Sequence, residues 1–250
     1  MKYKIILEYD GGSLIGFQKN KDGPSVQSLV EDAIFQFSGE RVELVGCGRT
    51  DAGVHALKMP GHFQLGIRSE ELGDKYLPDI VKKALNFYLI DAPVSVVDCE
   101  VVSDDFHARF DCKMRHYKYV ISTADYPPVL DRRVWHIPYS LDIAAMKEAA
   151  AHFIGEHDFS SFRASECQAR SPVKTILNAE CLMLNDKIEI CFSARSFLHH
   201  QVRNIVGTLV EVGRGKLSAD DIPKIIAARD RRMAGPTAPA EGLFFIGAEY

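Results

Sequence analysis

Apolar residues at Val26, Leu29, Val30, Ala33, Ile34 and Phe37 recur three and four positions apart after Pro24 and Ser25, which predicts a helix with Ser25 as its N-cap. Ahead of it, residues 2–9 have strand composition and run into the turn Asp10-Gly11-Gly12. Strands are predicted at 42–47, 62–67 and 94–102, with a helix at 79–89. The second half repeats this style. It has a strand at 115–122, an Ala-rich helix at 143–154, and strands at 176–184 and 187–193 joined by Asn185-Asp186, residues that tolerate a hairpin turn. A helix over 198–212 places Leu198, Val202, Ile205, Val206 and Leu209 on its buried face, with Gly213 as a left-handed cap. A short helix at 222–228 and a strand at 243–249 follow. The order suggests two α+β units side by side, residues 1–104 and 105–250, with strands available for a shared sheet and no Gly/Ser linker at the seam near 103–105.

Composition narrows the class. At 250 residues and 46% hydrophobic content the chain can fill packed cores, and no apolar run approaches a membrane span. The N-terminus turns acidic too early for a signal peptide, so a cytoplasmic location is expected. The six cysteines are scattered, with no CxxC pair and no zinc spacing, and read as reduced thiols. A net charge of −4 gives no global attraction for a polyanion, so any nucleic-acid partner must be met by local clusters.

Three segments concentrate reactive residues. In GRTDAGVHA, residues 48–56, Gly48 and Gly53 bracket Arg49, Thr50 and Asp51, letting the backbone bend sharply and present a carboxylate beside a guanidinium. Paired with Arg49, Asp51 would stay ionised and serve as nucleophile, base or ligand; the alternative is a structural Asx-turn. From Phe106 to Tyr119, Arg109, Lys113, Arg115 and Lys118 are interleaved with aromatics, a pattern suited to stacking bases and meeting phosphates, or equally to a half-buried strand with a solvated basic face. Tyr117, Tyr119 and Ile121 would share one face of that strand. In residues 193–207, His199 and Arg203 lie four apart on the predicted helix, whereas His199 and His200 would diverge by about 100° and could not easily share a metal ion. A fourth segment, 163–175, is polar and basic and reads as an exposed loop.

Taken in order, EYDGGSLIGFQ, PSVQSLVEDA, GRTDAGVHA, DDFHARF, HDFSSFRA, FLHHQVRNIVGTLVEVGRG and APAEGLFF span nearly the whole chain and closely resemble the TruA family of tRNA pseudouridine synthases. The resemblance implies two RRM-like (ferredoxin-like) α+β units with a shared, mostly antiparallel sheet and a central positively lined cleft. It implies Asp51 as nucleophile, Arg49 as an RNA contact that helps hold the place of a flipped nucleotide, Tyr117 stacking on the target uracil, Leu243 lining the pocket and Arg203 pairing with Asp51. Phe106, His107, Ala108, Arg109 and Phe110 match a segment tied to tRNA contact and base flipping, and Glu166, Cys167, Gln168, Ala169 and Arg170 match another tRNA-contact segment. Arg68 is a further backbone contact. The family acts on positions 38 to 40 of the anticodon stem-loop, uses neither cofactor nor metal, and forms homodimers. Phe17 and Gln201 stand where relatives often carry Trp and Met, without expected consequence, and no function of a longer tail beyond Tyr250 is expected.

Pseudouridine formation breaks N1–C1′, turns the uracil and rejoins it through C5. Attack by Asp51 at C6, attack at C1′, and a glycal route begun at the 2′ proton all remain open. Each needs a carboxylate, a stacking ring and excluded water. Two rivals stand beside this reading: a non-catalytic RNA-binding protein of the same architecture, and a glycosidic-bond hydrolase, which would usually need a second carboxylate absent from the 48–56 motif.

Overall fold

The computed structural model describes residues 1–66 and 73–250. Arg68 and the end of the strand expected at 62–67 lie outside the described residues. The described chain divides into two compact units, one of residues 1–113 with 245–250 and one of residues 114–244. The division falls after Lys113, later than the seam expected near 103–105, and the last strand supplies its final residues to the first unit.

In the first unit β1 (Lys2–Tyr9) runs antiparallel to β3 (His55–Gln64) on one side and to β4 (Val94–Val102) on the other, while the short β2 (Val45–Gly46) pairs with β3. The helices α1 (Val26–Ser38) and α2 (Pro78–Tyr88) complete the order β1-α1-β2-β3-α2-β4. Alternation along β1 buries Tyr3, Ile5, Leu7 and Tyr9, and Tyr3 stacks on its cross-strand partner Phe63 at 5.3 Å between ring centroids. Val26, Val30, Ala33 and Ile34 of α1 and Val81 and Leu85 of α2 supply the buried helix faces. Ser25 caps α1 as expected: its Oγ accepts the Ser28 N–H at 3.1 Å, and Gly39, at φ 79°, ends the helix. Pro78 opens α2, where its missing N–H costs nothing. The strand expected at 62–67 begins earlier, at His55, so the GRTDAGV residues form the connection from β2 into β3.

In the second unit β5 (Met114–Ser122), β9 (Lys187–Ala194), β8 (Val173–Leu184) and β7 (Gly155–Asp158) lie side by side, all antiparallel, and β6 (Trp135–His136) pairs parallel with the end of β5. Asn185, at φ 57°, makes the β8–β9 hairpin turn. Ile188, Ile190, Phe192 and Ala194 alternate into the core, where they join Met146 and Ala149 of α3 (Ile143–Ala151) and Ile205, Val206 and Leu209 of α4 (Gln201–Gly213). A short α5 (Asp221–Ala228) follows, and β10 (Leu243–Glu249) leads out of this unit.

Two expectations about α4 are corrected. The helix starts at Gln201 rather than 198, because His200 adopts a left-handed conformation at φ 61° just before it. Gly213 stays helical and the left-handed residue is Gly215; Gly213 is needed for packing, since a Cβ there would lie 2.7 Å from the Met146 sulfur.

Candidate active-site segments

In the first unit the turn that carries Asp51 is held from several directions. The Phe17 N–H donates to the Thr50 carbonyl at 3.0 Å, the Val54 N–H donates to the Asp51 carbonyl at 3.2 Å, and the Tyr9 hydroxyl meets Thr50 Oγ1 at 2.8 Å in a buried contact. His55, buried at the start of β3, accepts the Gly11 N–H on Nδ1 at 3.0 Å. That nitrogen then carries no proton for the Asp10 carboxylate 3.1 Å away, and the two do not form a charged pair. Close approach dictates the glycines. A Cβ on Gly11 would sit 2.1 Å from the Val54 carbonyl oxygen, and one on Gly16, already at φ 111°, would sit 2.7 Å from that of Thr50. These bonds hold the turn through its backbone and through Thr50. Asp51 is half-buried. Arg49 is exposed and forms no ion pair among the described residues, so the expected Arg49–Asp51 pair is absent: buried Thr50 anchors the turn between them while Arg49 faces solvent.

The same unit carries residues 106–111 as a pinned turn. Ala108 is fully buried; its N–H donates to His62 Nδ1 at 3.2 Å and its carbonyl accepts the Tyr250 hydroxyl at 2.8 Å. The Lys2 ammonium bonds the carbonyls of Asp104 and Phe106. The His107 N–H donates to the Asp111 carboxylate at 2.7 Å, and His107 Nδ1 receives the N–H groups of Arg109 and Phe110 at 3.2 and 3.3 Å. The His62 ring packs edge-on against His107 at 4.9 Å and Phe106 at 6.0 Å. Burial, helped by His107 and Lys2 and opposed by Asp111, lowers the His62 pKa to about 4 and keeps it a neutral acceptor. Arg109 and Phe110 face outward, Phe110 with 74% of its surface exposed.

In the second unit β5 turns Tyr117 and Tyr119 to one face. Tyr119 is core: its hydroxyl donates to the Pro239 carbonyl at 2.8 Å, burial pushes its pKa up so that it stays a donor, and its ring fills the space a Cβ on Gly242 would need. Tyr117 is 9% exposed and meets Phe197 edge-on at 5.2 Å. On the opposite face Lys118 is neutralised by Glu189 at 2.8 Å and His116 Nδ1 lies 2.8 Å from Ser193 Oγ. Arg203, in the first turn of α4, donates through Nε to the Ala238 carbonyl at 2.7 Å and receives the Ala238 N–H on its own carbonyl at 3.1 Å. Beside it Asn204 donates to the Phe162 carbonyl and accepts from Arg231 and Thr237, tying α4 to the 231–238 segment. Leu243, at the start of β10, is buried.

The 163–170 loop is organised by Arg163, whose guanidinium bonds the carbonyls of Cys167 and Ala169. Its Ala164 N–H reaches the His199 carbonyl at 3.1 Å, and the His199 N–H reaches the Cys167 sulfur at 3.4 Å. Burial would raise the Cys167 thiol, but N–H donors from Ala169 and His199 and the Arg163 guanidinium outweigh it and hold its pKa below the ordinary value. Glu166, Gln168 and Arg170 are exposed while Cys167 is buried. Because His199 and His200 precede α4, the helical spacing expected to align His199 with Arg203 does not exist, nor does the divergence argument against a shared ion; the two imidazoles lie 4.1 Å apart between centroids.

Residues 149–250 match a family described as tRNA pseudouridine synthase. A tRNA pseudouridine synthase A of Rhodospirillum centenum is 50% identical over 250 residues, covering 100% of this chain and 99% of the relative. The chain belongs to the tRNA pseudouridine synthase A family. A relative from Methylobacterium radiotolerans carries the same family name at 44% identity over 254 residues, with 100% and 98% coverage. Among solved structures the likeness is remote: a chain of a Cbf5-Nop10-Gar1 complex is 13% identical, matches 83% of this chain and 45% of its own length, and has a TM-score of 0.35.

Sequence reasoning about this synthase family member missed Arg163, Asn204 and His62. The bonds of Arg163 and Asn204 go to backbone carbonyls and side chains up to 42 positions away, which no periodicity reveals. His62 read only as the start of a strand, though a histidine among the apolar residues of a predicted strand is itself a signal that a buried polar partner exists.

Proposed function

We propose that this chain isomerises uridines at positions 38 to 40 of the tRNA anticodon stem-loop, with the Asp51 carboxylate as nucleophile after the target base has been turned out of its stem. Pseudouridine formation in tRNA follows from membership of the family, and makes the chain an isomerase. The observation that carries the assignment to Asp51 is the turn itself: a half-buried carboxylate on a backbone fixed by bonds from Phe17 and Val54 and by the Tyr9–Thr50 contact.

In this reading Tyr117 stacks on the extruded uracil, Leu243 closes the apolar side of the pocket, and Arg203, whose Nε bonds the Ala238 carbonyl, pairs with Asp51. Arg49 takes the place vacated by the base, and its exposure suits a side chain that meets RNA. Residues 106–110, 166–170 and Arg68 contact the tRNA backbone. Attack at C6, attack at C1′ and the glycal route all draw on the same carboxylate, ring and dry pocket. With the short β6 and β7 set aside, the succession β5-α3-β8-β9-α4 repeats β1-α1-β2-β3-α2, which supports reading each unit as RRM-like. The active form is a cytoplasmic homodimer, working without cofactor or metal.

The test is to incubate the purified protein with bulk tRNA and map pseudouridine with carbodiimide labelling. Label at 38, 39 or 40 with wild type and none with Asp51→Asn is expected. Label elsewhere overturns the position, and an active Asp51→Asn overturns the nucleophile. RNA binding without any label would favour the non-catalytic alternative.

A further inference from the structure

The 106–110 turn is pinned more heavily than its own burial explains. Of its side chains only that of Ala108 is buried, while Arg109 and Phe110 are exposed, the Phe110 ring lying 4.2 Å from that of His107. Yet both backbone polar groups of Ala108 are bonded by side chains from distant parts of the first unit, the N–H by His62 of β3 and the carbonyl by Tyr250 beyond β10. His62 itself is 8% exposed, a costly place for an imidazole unless its nitrogen has a task. An apolar residue at this position would fill the same volume and leave the Ala108 N–H without an acceptor.

We propose that His62 is a positioning residue for RNA: Nδ1 on the Ala108 N–H, with Tyr250 on the Ala108 carbonyl, fixes the turn so that Arg109 and Phe110 stand as a rigid cation-and-ring wedge against a tRNA stem. The inference rests on reading residues 106–110 as an RNA-contact segment. An exposed aromatic beside a cation can press between stacked bases only if its backbone does not recoil, and a loose turn would lose conformational freedom at each encounter. Neighbouring groups brace the same turn. Lys2 holds the carbonyls of Asp104 and Phe106, Asp111 holds the His107 N–H, and the ammonium of Lys4 lies over the rings of Phe106 and Tyr250 at 5.7 and 4.9 Å. His107, the nearest titratable ring, uses its own Nδ1 to receive the turn's next two N–H groups.

The experiment compares steady-state kinetics of the full-length wild type, His62→Ala, His62→Asn and Tyr250→Phe on two tRNAs, one with the target uridine paired and one with it facing an abasic site, with thermal unfolding measured alongside. On the paired substrate His62→Ala is expected to lower kcat/KM about tenfold or more, and on the unpaired substrate by under about twofold, because the energy of opening the stem is then no longer required. His62→Asn, whose Oδ1 can accept in place of Nδ1, restores most of the activity. Tyr250→Phe reproduces a smaller loss with the same preference for the paired substrate, and keeps the test open should His62→Ala fold poorly. Equal losses on both tRNAs, or an Asn variant as weak as the Ala variant, would overturn the role. Wild type inactive on both RNAs would instead overturn the enzymatic reading beneath it.

Discussion

The Asp51 turn is held largely through its backbone. Thr50, Phe17, Tyr9 and Val54 fix that backbone, and an amide nearly matches a carboxylate in size, so Asp51→Asn should leave the fold intact. Asp51→Asn is therefore expected to unfold within about 1 kcal/mol of wild type while losing about a thousandfold or more in turnover, measured by chemical denaturation and single-turnover pseudouridine formation. His62 gives a pH signature. Its folded pKa, about 4, lies below the ordinary value of 6.5, so the unfolded chain binds the proton more readily. The stability this neutral ring confers is complete above pH 6.5 and is lost as pH falls towards 4, at most about 3 kcal/mol for the shift. His62→Asn should flatten the stability curve across that window, against a wild type that falls more steeply in urea unfolding. The charges facing the ring, His107, Lys2 and Asp111, remain in both proteins, so the difference between the two curves belongs to His62.

Among the elements, α4 shows where packing overrules propensity. An alanine normally favours a helix over glycine by about 1 kcal/mol, but a Cβ on Gly207 would lie 1.7 Å from the Pro236 carbonyl oxygen. Gly207→Ala should thus destabilise by about 1 to 3 kcal/mol rather than stabilise, and should weaken activity by displacing the Ala238 strap that Arg203 holds; differential scanning calorimetry and the tRNA assay read the two effects. Much at this scale was legible in the chain. The strands β1 and β9, the apolar stripe of α1 with its Ser25 cap, and the Asn185 hairpin follow from side-chain pattern and turn chemistry, and the structure agrees. Other features have no local signal. GEHD, which forms β7, has no apolar alternation, and β6 is two residues long. His200 opens α4 with a left-handed backbone that a non-glycine residue gives no warning of, which is why the expected alignment of His199 with Arg203 failed. For the site, the glycines of GRTDAGVHA read as a turn, but the residues alone leave Asp51 open between an Asx-turn and a nucleophile, and the choice comes from the family resemblance. The clamp on residues 106–111 could not be read, since its partners Lys2, His62 and Tyr250 are brought together only by the completed sheet.

For the molecule as a whole, a net charge of −4 must be reconciled with a polyanionic substrate. Several cations are already spent internally: Lys118 on Glu189, Lys187 on Asp131, Lys4 on Glu100 and Arg163 on backbone carbonyls. Arg49, Arg109 and Arg170 are exposed and belong to the proposed contact set. Affinity for tRNA should accordingly fall with salt, but with a modest slope equivalent to a few released counterions; filter binding between about 50 and 200 mM salt measures it, and Arg109→Gln should reduce the slope by about one.

The return of residues 245–250 to the first unit sets an order of events during synthesis. A ribosome that has finished the first 113 residues has not yet made the strand that finishes that unit, and the whole second unit is translated in between. Tyr250, whose hydroxyl closes the clamp on Ala108, is among these late arrivals. The nascent chain therefore waits with the β3 side of its first sheet uncovered, a long-range closure of the kind that slows folding.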